Sequence, residues 1–87
     1  MGKEFRNLQE EYEKIKKIIV KTIYTRNDQE AIGLFKIKVN YYAKKSKVPK
    51  FAINNFNGAI DNVQKDRTEF IINGDIIFKH MEGRYWR

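Results

Sequence analysis

The sequence predicts one α+β domain, with two helices packed on a largely antiparallel four-stranded sheet in the order α-β-β-α-β-β. Three observations lead there. Near the start, apolar residues recur with a helical period. Between Phe35 and Tyr41, apolar and polar residues alternate strictly. Further on, Asn73-Gly74 stands between two β-branched apolar runs, the pattern of a tight hairpin.

The first element is a helix because Phe5, Leu8, Tyr12, Ile15 and Ile19 fall three or four residues apart and so form one stripe. Glu10–Lys14 and Glu13–Lys17 sit four apart in the favourable order, with acids leading and lysines trailing as the helix dipole prefers. From about residue 18 the run IIVKTIYT is β-branched and aromatic, which suits a pleated surface, and a strand is expected over 18–25. RNDQEAIG breaks that pattern. A second strand follows, placing Phe35, Ile37, Val39 and Tyr41 on one face and Lys36, Lys38 and Asn40 on the other. The competing reading is a helix over 29–44 capped by Asp28. Pro49 suits a first-turn position and opens the second helix, whose stripe is Ala52, Phe56, Ala59, Ile60 and Val63. The last two strands form a 70–78 hairpin. Both of its faces are apolar, with Phe70, Ile72 and Ile77 on one and Ile71, Ile76 and Phe78 on the other, so either another part of the chain covers the second face or the hairpin is a homodimer interface. The expected core is Leu8, Tyr12, Ile15, Ile19, Phe35, Ile37, Val39, Phe56, Ile60, Val63 and part of this hairpin. Residues 81–87 read as a tail.

Eighty-seven residues suit a single domain, and 14% aromatic content argues against disorder. The absence of cysteine removes disulfides and thiolate metal sites and fits a reducing, cytoplasmic setting. The first residues carry charge where a signal peptide needs an apolar core, and no apolar run reaches membrane-spanning length, so no membrane role is expected.

Eighteen basic against eleven acidic residues give a formal charge of +7. Their placement matters more. Between Ala31 and Ile60 there are six lysines and no acid, and segregated charge builds a field.

Catalysis has little material. One serine, Ser46, and one histidine, His80, make a nucleophilic triad improbable, and no set of ligands is spaced for a metal; no cofactor is expected. One metal-free chemistry remains, that of a small toxin-type ribonuclease using His80, Arg84, Tyr85 and Arg87, although the element order departs from that plan. Binding fits better. Nucleic acid, DNA or RNA, rewards lysines that neutralise phosphates and rings on which bases stack. The expected site is Lys36, Lys38, Lys44, Lys45, Lys47 and Lys50, with Tyr42 and Trp86 as stacking groups and Arg84 and Arg87 in the tail. No arginine-bearing recognition helix is evident, so the expectation is backbone binding without a tight sequence code. The size and the lysine and asparagine content suit an accessory protein of a phage or other mobile element. The main alternative is a protein-interaction module or inhibitor docking on an acidic partner. The plainest reading leaves the lysines as a solvated face, as AT-rich coding would also produce.

Overall fold

A computed structural model describes residues 2–85, and these form four helices: α1 (Gly2–Ile19), α2 (Arg26–Lys45), α3 (Lys50–Asp61) and α4 (Arg67–Tyr85). No strand occurs among the described residues. The α+β expectation, with its four-stranded sheet, is therefore overturned. Each expected strand is helix or linker, for an identifiable reason in every case.

The expected strand 18–25 is the end of α1 and a linker. The α1 stripe Leu8, Tyr12, Ile15 continues to Ile19, which is fully buried, so tertiary packing outweighs β-branched propensity there. Beyond it Val20 and Ile23 are exposed. The linker is pinned rather than paired: buried Tyr24 donates its hydroxyl to the Ile19 carbonyl at 3.0 Å, and Arg67 donates to the Lys21 carbonyl at 3.2 Å.

A capping box starts α2. Thr25 accepts from the Asp28 N–H at 3.1 Å through its hydroxyl, while the Asp28 carboxylate accepts from the Thr25 N–H at 2.9 Å. Lys21 Nζ stands 3.2 Å from both oxygens of that buried carboxylate. The backbone bond from Thr25, aided by Lys21, holds the Asp28 carboxyl below its ordinary value. The buried positions of α2 are Asp28, Phe35, Val39 and Ala43, spaced seven, four and four apart. The period-two alternation between Phe35 and Tyr41 is thus a short window on a helix. It misplaced Ile37, expected in the core but 66% exposed, and Tyr41, 60% exposed.

Within α4, Asn73-Gly74 lies in mid-helix instead of turning a hairpin. Gly74 is there because Tyr12 packs onto the α4 backbone. A Cβ at position 74 would lie 2.7 Å from the Tyr12 ring carbon Cζ and closer still to its hydroxyl. That hydroxyl reaches Asp75 Oδ1 at 2.9 Å and the Ile71 carbonyl at 3.1 Å. Burial first, then the bond to Asp75, raises the Tyr12 pKa well above the ordinary phenol value. Phe70, Ile77, Phe78 and Met81 are buried in the chain's own core. The expected 70–78 hairpin is therefore corrected to a helical segment whose larger apolar groups are buried within the chain, leaving Ile72 and Ile76 exposed.

Tyr12 sits at the centre of the core. Its ring lies parallel to Phe78 at 4.7 Å and to Phe35 at 5.9 Å, and edge-on to Phe70 at 5.8 Å. Phe56 joins from α3 against Phe35 and Phe70. Pairs of this geometry add about 0.5–1.5 kcal/mol each beyond burial. One ring cluster thereby ties all four helices together.

The helix directions follow from neighbouring residues. Asn7 shares a groove with Tyr41, and Ile18 shares one with Ala31, so α1 and α2 are antiparallel. Phe5 meets Phe78 and Tyr12 meets Phe70, so α1 and α4 are antiparallel. Phe51 meets His80 and Asn62 shares a groove with Glu69, so α3 and α4 are as well. The start of α1, the end of α2, the start of α3 and the end of α4 consequently gather at one end of the molecule. Among the described residues no helix is long and apolar enough to cross a membrane.

Candidate nucleic-acid interface

The shared end is where the sequence concentrates lysine. Lys44 and Lys45 occupy the last turn of α2, a placement its dipole favours. The helix then stops in a Schellman motif: Val48 N–H donates to the Ala43 carbonyl at 3.0 Å and Lys47 N–H to the Lys44 carbonyl at 3.1 Å. Buried Val48 closes the motif against the core. The motif needs a left-handed residue at position 47, and Lys47 supplies it with φ 60° where glycine is usual. The Ser46 hydroxyl, buried, donates to the Tyr42 carbonyl at 2.6 Å and serves the helix end.

Pro49 leads into α3 without a side-chain cap, and the first turn of α3 contains no acid. Lys50 sits there against the dipole. Lys44, Lys45, Lys47 and Lys50 are all exposed, so the turn 46–49 and its two flanking helix ends form one basic surface.

The structure separates the other two expected lysines from this surface. Two positions apart on a helix is about 200°, so Lys36 and Lys38 leave α2 on opposite flanks. Lys36 Nζ pairs with Asp61 at 2.8 Å, joining α2 to α3, and Lys38 Nζ pairs with Glu11 at 2.7 Å, joining α2 to α1. The continuous strip from Lys36 to Lys50 does not exist as expected. Tyr42 is half-buried, edge-on to Tyr41 at 5.1 Å. Arg84 falls in the last turn of α4, where the backbone alone is described, and Trp86 and Arg87 lie outside the described residues. His80 is half-buried, edge-on to Phe51 at 6.3 Å.

Two exposed rings went unread in the sequence. Tyr41 lies under Lys45, whose Nζ is 5.9 Å from the ring centroid. Phe51, 61% exposed, follows Lys50 at the start of α3. Tyr41 was hidden by the strand reading, which turned it inward. Phe51 was legible, since the stripe Ala52, Phe56, Ala59, Ile60, Val63 excludes it.

Among the described residues no group of three or more His, Cys, Asp or Glu side chains is placed to hold a metal ion. No protein-family model, curated protein sequence or solved structure matches this chain.

Proposed function

We propose that this chain is a small nucleic-acid-binding accessory protein of the cytoplasm that grips the phosphate backbone with the basic end of its helical bundle. Lys44, Lys45, Lys47 and Lys50 neutralise phosphates, and Tyr41 and Phe51 offer rings beside them. The observation that carries the reading is the charge of this end. Four exposed lysines lie in and beside one turn, within a thirty-residue stretch, residues 31–60, that holds no acid.

The strain at Lys47 adds support. A left-handed non-glycine residue costs about 1 kcal/mol or more, and position 47 spends that on a cation. Lys50 at a helix start that favours acid points the same way. Lys36 and Lys38, engaged with Asp61 and Glu11, link α2 to its neighbours at the surface and contribute to binding through the overall field.

A second reading has its own observation. Leu34, Ile37 and Tyr41 form an exposed apolar line on α2, beside Lys38, Lys44 and Lys45. That combination suits an acidic protein partner with apolar anchors.

Fluorescence anisotropy with labelled single-stranded DNA, duplex DNA and RNA across a salt series decides between them. Backbone binding by the four lysines gives a log–log salt slope of about −3 to −4, and replacing all four by Gln flattens it. An unchanged slope in that variant would sink the basic end as the contact. Absence of binding to all three probes at low salt would sink the nucleic-acid reading and leave the partner surface on α2.

A further inference from the structure

The outer face of α3 has an unusual make-up. Phe51, Asn54, Asn55, Gly58 and Asn62 are all exposed, while Ala52, Ile53, Phe56, Ala59 and Ile60 are buried, so the helix presents a clean uncharged face. Surface helices ordinarily carry charged residues there. Asparagine and glycine are also poor helix formers, so this face works against the helix that bears it.

The amides on this face differ from the other asparagines packed around α3. Asn40 and Asn57 exchange hydrogen bonds at 2.6 and 2.9 Å between α2 and α3, and Asn73 donates to Glu69. Asn54, Asn55 and Asn62 make no side-chain hydrogen bond among the described residues, and they open onto a groove of about 440 Å³ between α3 and α4. Each offers a donor and an acceptor side by side. A group that matches both at once is the edge of a nucleobase, above all adenine N6 and N7 in the major groove.

The lead-in to α3 matches that use. α2 and α3 are joined by the short turn 46–49, with its left-handed residue at Lys47, which sets exposed lysines beside the N-terminal end of α3. The N-terminal half of α3 carries Phe51, Asn54 and Asn55, flanked by Lys44, Lys47 and Lys50 for the phosphates. The C-terminal end is edged by Asp66 and Glu69, which repel phosphate and fix the direction of approach. With twelve residues, α3 is about 18 Å long and slim enough for a B-form major groove.

Resting on the phosphate-binding reading above, we infer that α3 is a recognition helix that enters the major groove of duplex DNA and reads A·T pairs. Asn54 and Asn55 hydrogen-bond adenine edges, and Phe51 packs on thymine methyl groups. The surrounding lysines supply affinity, while these three residues supply sequence preference. An A-form RNA duplex is excluded from this contact because its major groove is too deep and narrow for a helix.

The test is selection of bound sequences from a random duplex DNA library, with wild type and with N54A/N55A. Both sites are exposed and alanine favours helix, so the variant retains its fold, checked by circular dichroism. Wild type should enrich an A·T-containing motif. The variant should lose that preference by about tenfold to a hundredfold while keeping the salt slope on random duplex DNA. The same motif from both proteins, or salt-dependent binding by wild type with no motif enriched, would overturn the recognition helix and leave backbone binding standing. Failure to bind any nucleic acid would remove both.

Discussion

At the scale of single residues, the contact between Tyr12 and Gly74 determines the sign of a substitution that propensity alone gets wrong. Alanine for glycine in a helix ordinarily stabilises by about 1 kcal/mol. Gly33→Ala should do so, because nothing lies within 4 Å of its Cβ position. Gly74→Ala should instead destabilise by about 1–3 kcal/mol, since the new methyl overlaps the Tyr12 ring. Urea denaturation of the two variants checks this, and a stabilised Gly74→Ala would refute the close approach. Asp28 carries a pH signature of its own. Its carboxyl is held below its ordinary value of 3.8, so the stability contributed by its charged form is complete above that pH. It is lost as the pH falls through the depressed value. Asp28→Asn should therefore be most costly at neutral pH, and its penalty should shrink as the pH falls below that ordinary value. A penalty independent of pH would mean that the charge is idle.

At the scale of elements, α2 separates the two ways of reading its sequence. A strand would bury Ile37 and Val39 alike, whereas the helix buries Val39 and exposes Ile37. Ile37→Lys should shift stability by no more than about 0.5 kcal/mol. Val39→Lys should unfold the domain or destabilise it by more than about 4 kcal/mol, since it leaves a charge unpaired in the core. Equal penalties from thermal denaturation would contradict the helix. α1 and α3 were legible because their stripes run over three or more turns without a rival period. α2 was not, because the alternation around Phe35 fits two periods and the decisive evidence, Thr25 with Asp28 and the distant Ala43, lies outside the window. In α4 the turn propensity of Asn73-Gly74 lost to Tyr12, a residue about sixty positions away that no local pattern contains. The lysine-rich stretch was legible as a charge. Its division into two interhelix pairs and four exposed lysines required the helix that the sequence had offered only as the competing reading.

At the scale of the whole molecule, antiparallel packing turns a sequence bias into a polarity of charge. The lysines at one end repel one another and Lys47 is strained, so the basic end lowers stability. Lys47→Gly should raise stability by about 0.5–1 kcal/mol, the left-handed penalty relieved minus the added chain entropy. It should also weaken nucleic-acid binding. Paired melting and anisotropy measurements test the opposition, and a variant both more stable and equally tight would show the strain to be incidental. The same architecture sets a schedule for the nascent chain. Tyr12 Oη and its Asp75 partner are 63 residues apart, and Phe70 and Phe78 arrive with the final helix. At roughly 5–20 residues per second of synthesis, Leu8, Tyr12 and Ile15 wait about 3–13 seconds between emergence and their last cover. Throughout that interval Phe35 of α2 can cover only one side of Tyr12, and the side that meets α4 waits for Phe70 and Phe78.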